Sequence, residues 1–272
     1  MKLILFVLPL LITTAVIAQS KLTVGKKLNV TQTTTLNNTS NMMGTSMTTS
    51  IYDTVKFVVE IKSIADSTIT LTCTLKNVKG LLSMMGQEQA FNSDDATTTA
   101  NPMLASILSD MNKAQEFKLV NGKIKSDAKS LKNLTEEFSP ANGIVASSEA
   151  LITDLFIPAS VKEKVKGYQW TSEQTSEDGN QKAITIYSIA EANNSNVEIT
   201  SNTSISAKGT SKMMGYDVKQ NLTGTRTTSQ KFAPINGLLT SSIQTIALKG
   251  TAELMSTNIP IDSKSETKTI VE

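Results

Sequence analysis

Alternating apolar and polar positions dominate both ends of the chain, and a helical period appears only between them. In "TITLTCTLKNV", Ile69, Leu71, Cys73 and Leu75 alternate with Thr68, Thr70, Thr72 and Thr74, the period of a strand with one buried face. The segment "YDTVKFVVEIKSIADSTITL" predicts two strands joined at Ala65-Asp66-Ser67, with Val55, Phe57, Val59 and Ile61 on one face. Long strands are expected over residues 27–38, 47–64 and 68–82, linked by turns rich in Asn, Ser, Asp and Gly. Asn121-Gly122 marks a further hairpin turn inside "FKLVNGKI". Alternation resumes after Gly167, through Ile184 and Ile186, then Val197, Ile199, Ile205 and Ala207, then Tyr216, Val218 and Leu222. "LLTSSIQTIALKGTAEL" and "NIPIDSKSETKTIV" supply closing strands.

Between these halves the spacing becomes helical. Asn101 caps and Pro102 opens a stretch carrying Leu104, Ile107, Leu108 and Met111. Ser126 opens a second with Leu131, Leu134 and Phe138, and a third begins near Ser147 with Leu151, Ile152, Leu155 and Phe156 before Pro158. Each has one apolar stripe and is marginal alone, so a sheet must support it. The expected fold is mainly β (α+β): an antiparallel open or half-barrel sheet of long strands, with about three short helices inserted between two β halves. The halves are residues 21–92 and 167–272, and the helical middle is 101–166.

Residues 1–18 read as a cleaved signal peptide. Lys2 is the positive n-region, 3–17 is an apolar run, and Val16-Ile17-Ala18 places small residues before Gln19. The run is too short and too well processed for an anchor, and no cysteine near the site offers a lipid attachment. The expectation is a single β-rich domain over 19–272, periplasmic or extracellular, not a lipoprotein, with no transmembrane span after cleavage.

Composition narrows the chemistry. The chain has 26 Lys and Arg against 24 Asp and Glu, which argues against a nucleic-acid surface. Arg226 is the only arginine, and Ser and Thr make up roughly a quarter of the chain. Cys73 is the single cysteine, so no intrachain disulfide is available. With no histidine at all, Ser-His-Asp and Cys-His activation and His-based zinc sites are closed. Gly-rich phosphate loops are absent from the sequence. The acidic pairs Asp94-Asp95, Glu136-Glu137 and Glu177-Asp178 lie in polar stretches where carboxylates are usually solvated. No catalytic residue, cofactor or metal is expected.

Three Met-Met-Gly triplets, at 42–44, 84–86 and 213–215, stand where one strand should end and the next begin. Glycine there supplies a positive φ. The methionines are soft filling for turns, or an apolar rim for a lipid, a peptide or a membrane surface. Thioether binding of Cu(I) is chemically allowed but lacks a histidine or second cysteine to complete it. The residues singled out for ligand contact are Met42, Met43, Met84, Met85, Met213 and Met214, with Leu151, Leu155 and Phe156 from the third helix.

"LTVGKKLNVTQTTT", the "MMG" hairpins, "FNSDDATTTANPM", "IPASVKEKVKGYQW" and "FAPINGLLTSSIQTIALKGT" together resemble an uncharacterised family of exported Gram-negative envelope proteins, a domain of unknown function spanning the mature chain. The β, helix, β order is also similar to the half-barrels of LolA-like lipoprotein carriers, a likeness of fold alone. Asp53-Thr54-Val55 and Asp66-Ser67-Thr68 resemble the short acceptor for O-glycans in some Gram-negative envelopes, which makes Thr54 and Ser67 candidate glycosylation sites. Two functions remain: a non-enzymatic binding protein for a lipid or other apolar ligand, and a structural or surface-interaction protein with no small ligand.

Overall fold

The computed structural model describes residues 22–272 apart from 43, 85, 96–107, 125–147, 159–160, 162–164, 176–178, 214–215 and 255–256. Twelve antiparallel strands form one open sheet. The first half supplies β1 (Lys27–Met42), β2 (Thr45–Ala65), β3 (Thr68–Met84), β4 (Gln87–Asn92), β5 (Ala114–Val120) and β6 (Lys123–Ile124). The second supplies β7 (Gln169–Thr175), β8 (Gln181–Ala192), β9 (Val197–Met213), β10 (Tyr216–Phe232), β11 (Leu239–Leu254) and β12 (Thr257–Val271). Their order is β6-β5-β3-β2-β1-β12-β11-β10-β9-β8-β7, with β4 pairing the upper part of β3. The first and last strands thus meet in the middle, joined from Val30↔Val271 to Ser40↔Ile261.

The strands form where the alternation predicts them, and they run longer. β2 has 21 residues, about 70 Å at ~3.3 Å per residue. The turns obey local backbone chemistry. Asp66 takes φ 49 between β2 and β3, and Asn121 and Gly122 take φ 53 and 74 between β5 and β6, a pair of left-handed conformations suited to a tight hairpin. Gly44 and Gly86 also have positive φ, 82 and 78, as the Met-Met-Gly reading required.

Strand directions put the β1–β2, β3–β4, β9–β10 and β11–β12 connections all at one end, called here the upper end. The lower end is closed by an apolar core. Leu28, Val59, Leu71, Cys73, Phe117, Val197, Phe232 and Leu239 belong to a single buried cluster. The register irregularities at Lys56/Phe57, Ile61/Ser63, Ile189/Glu191 and Lys231/Phe232 fall toward this end. Bulges of this kind sharpen strand bending, which lets a wide sheet wrap its core.

One helix, α1 (Ser148–Thr153), is found among the described residues, where about three were expected. The expected first and second helices fall largely on 101–107 and 125–147, outside the described residues; Leu108 is helical and turns follow it as far as Asn112. α1 is too short to persist by itself. Its continuation is pinned to the sheet: the Ile157 N–H donates to the Gly237 carbonyl (2.8 Å) and the Leu239 N–H to the Leu155 carbonyl (2.9 Å). Gly237 has φ 65, and a Cβ there would lie 3.0 Å from Ile157, so this docking needs glycine. Ile152 and Leu155 are fully buried against the lower core.

Candidate interior polar site

Because directly opposed residues of an antiparallel ladder share a face, the register traces a belt across the concave side of the sheet. From β4 it runs through Phe91, Gly80, Asp53 and Thr34. It continues across the β1–β12 seam through Thr267, Gln244, Thr228, Ser201, Tyr187 and Trp170. An aromatic ring stands at each end and polar side chains lie between. The larger apolar cluster lies below the belt and, in the first half, continues above it through Leu36, Ile51 and Leu82; above the belt in the second half a separate buried cluster gathers Ile205, Leu222, Ile246 and Leu248. The opposite face is mainly polar, as along Thr223, Thr225 and Thr227 or Lys264, Glu266 and Lys268, all exposed, with Tyr52, Leu81, Ile184, Ile186, Ile243 and Ile270 as exposed apolar side chains among them. That pattern is the inverse of a transmembrane barrel, whose outward face is apolar. No described helix is long and apolar enough to cross a membrane.

The two halves of the belt differ. In the first, Asp53 is 2% exposed. Burial pushes its carboxyl up to about 7, opposed in part by hydrogen bonds to the Thr34 hydroxyl and backbone. One carboxyl oxygen, Oδ1, has no partner. Thr34 in turn lies 3.3 Å, hydroxyl to hydroxyl, from Thr267. Gly80 is obligatory beside Asp53: an added Cβ would meet the Phe91 ring at 2.7 Å and the Asp53 Cα at 2.9 Å. The ring of Phe91 thereby covers this part of the belt.

In the second half, the end of α1 brings Asp154 to the concave face beside Arg226, Gln230 and Tyr187. Burial again raises the carboxyl, to about 6, against the pull of the Arg226 charge and a hydrogen bond from Gln230. Asp154 nevertheless keeps an exposed surface. Asp154 thus stands in a hollow ringed by protein yet open to water, where solvent screens its charge. Tyr187 is raised as well, first by burial and then by Asp154, with Arg226 and a hydrogen bond to Thr185 opposing. The Thr185 and Thr203 hydroxyls lie 3.0 Å apart one rung nearer the upper end.

Three rings flank this hollow. Trp170 stacks on Tyr187 at 4.9 Å between centroids and 5° between planes, and Tyr168 lies 5.7 Å from Trp170 at 28°. Cross-strand aromatic pairs of this sort contribute about 0.5–1.5 kcal/mol beyond burial. Trp170 Nε1 is buried and donates to nothing.

None of the described residues selected from sequence lies on the belt itself. Met42 and Met213 end β1 and β9, and Met84 ends β3 with its side chain half-buried. Met43, Met85 and Met214 lie outside the described residues. Leu151 and Phe156 are half-buried and Leu155 is wholly buried in the lower core. Thr54 faces outward from mid-β2, 3.5 Å from the Thr33 hydroxyl, and Ser67 is exposed in the β2–β3 turn. Sequence reasoning passed over Asp53, Asp154, Arg226 and Trp170 as a group. The available signal was parity: Arg226 shares its face with Leu222 and Gln230, and Asp53 with Val55 and Phe57. No cluster of three or more metal-ligating side chains occurs among the described residues.

Comparison with known proteins adds little beyond the class of fold. No protein-family model and no curated protein matches the chain, so the resemblance to an envelope family stands on its quoted segments alone, and the LolA-like half-barrel gains no support. Among solved structures, one described as showing lipid–protein interactions in lipovitellin aligns with 92% of this chain at 13% identity and a TM-score of 0.48. The chain spans 25% of that much longer protein. An outer membrane channel from Pseudomonas putida aligns with 92% of this chain and 97% of its own at 8% identity and a TM-score of 0.37.

Proposed function

We propose that the protein is an exported, non-enzymatic binding protein that shelters an apolar or amphiphilic ligand against its concave face. The observation that carries this reading is the amphipathicity of the sheet: the buried apolar clusters and a polar belt face inward, while the outward face is mostly hydroxyl and charged side chains with scattered exposed apolar ones. A sheet that served only as a surface would gain nothing by placing an arginine and two carboxyls inside, since each costs desolvation. An acyl chain placed there gains about 0.8 kcal/mol per buried methylene. The absence of histidine from the chain supports the non-enzymatic part of the reading.

The test is titration of delipidated protein with a fluorescent long-chain fatty acid. Saturable binding is expected, weakened when half-buried Phe156 is replaced in Phe156→Glu while circular dichroism stays unchanged. A native sheet that binds no long-chain lipid saturably would favour the alternative of a structural or surface-interaction protein. Export is tested separately: the intact mass of the native protein should begin at Gln19, and a retained Met1 would sink that part.

A further inference from the structure

Arg226 stands on the concave face midway along β10, half-buried, and is the only arginine in the chain. Its planar fork of donors suits carboxylate and phosphate oxygens better than any lysine could. Asp154, an exposed side chain just past the end of a six-residue helix, lies near enough for the two charges to influence each other. Arg226 makes no ion pair among the described residues, so the guanidinium stays available to an incoming anion.

The surroundings are supplied with donors. Gln230 lies on the same face of β10, Tyr187 is near enough to feel both charges, and the stacked Trp170 holds a buried N–H with no acceptor. The register adds a direction. Arg226 is directly opposite Ile246, and Leu248, Leu222 and Ile205 follow on the next rungs toward the upper end. A cation at the border of an apolar patch matches a molecule with an anionic head and an apolar tail.

We propose that Arg226 receives the oxyanion head of an amphiphilic ligand, with the tail directed past Ile246 and Leu248. The proposal rests on the binding reading above and specifies its ligand class. The Asp53 half of the belt is excluded as the head site because it holds no cation among its described neighbours and is covered by Phe91.

Oleate, oleyl phosphate and oleyl alcohol share one tail and differ in the head, and quenching of Trp170, the single tryptophan, reports their binding. Wild-type protein should hold at least one of the two acids about tenfold or more tighter than the alcohol, the scale of a charge-assisted hydrogen bond. The preferred acid then identifies the head as carboxylate or phosphate. Arg226→Gln should reduce both acids to the level of the alcohol and leave the alcohol unchanged, and Asp154→Asn should tighten the acids severalfold. An acid preference that survives Arg226→Gln, or acids that bind more weakly to Asp154→Asn, would overturn the proposal. Should Arg226→Gln fail to fold, Asp154→Asn decides alone. Binding of all three ligands without preference overturns the head site and leaves the carrier reading standing; binding of none overturns both.

Discussion

Asp53 and Asp154 are two carboxyls on the same concave face, raised by the same cause, and they sit in opposite kinds of surroundings. Asp53 is fixed mid-strand, covered by Phe91, with Thr34 as its hydrogen-bond partner and one oxygen unsatisfied. Asp154 hangs from a short helix into a hollow that water enters, with Arg226 and Gln230 before it. The first cannot exchange partners without opening the sheet. The second can exchange them by moving one side chain. Desolvation alone therefore does not identify a site; the availability of a replaceable partner does.

The largest expected difference between the two appears in stability against pH. For Asp53 the folded-state value is about 7 against an ordinary 3.8, so between these limits the folded protein binds more protons than the unfolded chain. Stability must then fall as pH rises through that window and level off above it. The full shift corresponds to at most about 4 kcal/mol. Asp53→Asn keeps the shape and removes the titration, so it should be more stable than wild type in urea at pH 8 and close to it at pH 4. A wild-type curve flat between pH 4 and 7 would show that Asp53 is not desolvated as described.

A smaller effect isolates the partner. Thr34→Val removes the hydroxyl that favours the charged form of Asp53 while keeping volume and β propensity. The expected cost is about 1–3 kcal/mol above pH 7, where a charged carboxylate loses a hydrogen bond, and much less at pH 4. Equal losses at both values would mean that Thr34 acts through Thr267 instead. Smaller again is Asp154→Asn. The sign is the same, with stability falling as pH rises from 3.8 to about 6, but contact with water reduces the effect to about 1 kcal/mol. A pH response as large as that of Asp53→Asn would mean that no open hollow exists.

The comparison also shows what the sequence could convey. Alternation located β1, β2 and β3 to within a few residues, and Asp66 and Asn121-Gly122 marked their turns, because both depend on neighbouring residues alone. Extending the face of Val55 and Phe57 by one step reaches Asp53, so that carboxyl's inward position was legible. The β1–β12 seam was not. It joins Thr34 to Thr267 across 233 positions, and one threonine-rich strand offers no mark by which to select another. Arg226, Asp154 and Trp170 come from three separate segments, and only the fold of the sheet around α1 assembles them. The helical periods gave α1 its place, while the docking of Leu155 and Ile157 on the Gly237 loop is a tertiary contact that no local pattern records.

The smallest expected effect concerns the two Asp-Ser/Thr acceptor segments, which differ as the two carboxyls do. In Asp53-Thr54-Val55, the aspartate and valine are buried and the threonine is held in a central ladder between Thr33 and Lys79. An enzyme reading that segment would have to extract Asp53 from the interior. In Asp66-Ser67-Thr68, the aspartate and serine are exposed in a turn whose only tie from Ser67 is its carbonyl, accepting the Asn121 N–H at 2.9 Å. We therefore expect any O-glycan on the folded native protein at Ser67 and not at Thr54, and Ser67→Ala should remove it while changing stability by less than about 0.5 kcal/mol. Peptide masses from protein of its own host decide this. A glycan on Thr54 would mean that modification precedes folding, and bare hydroxyls at both positions would remove the acceptor reading altogether.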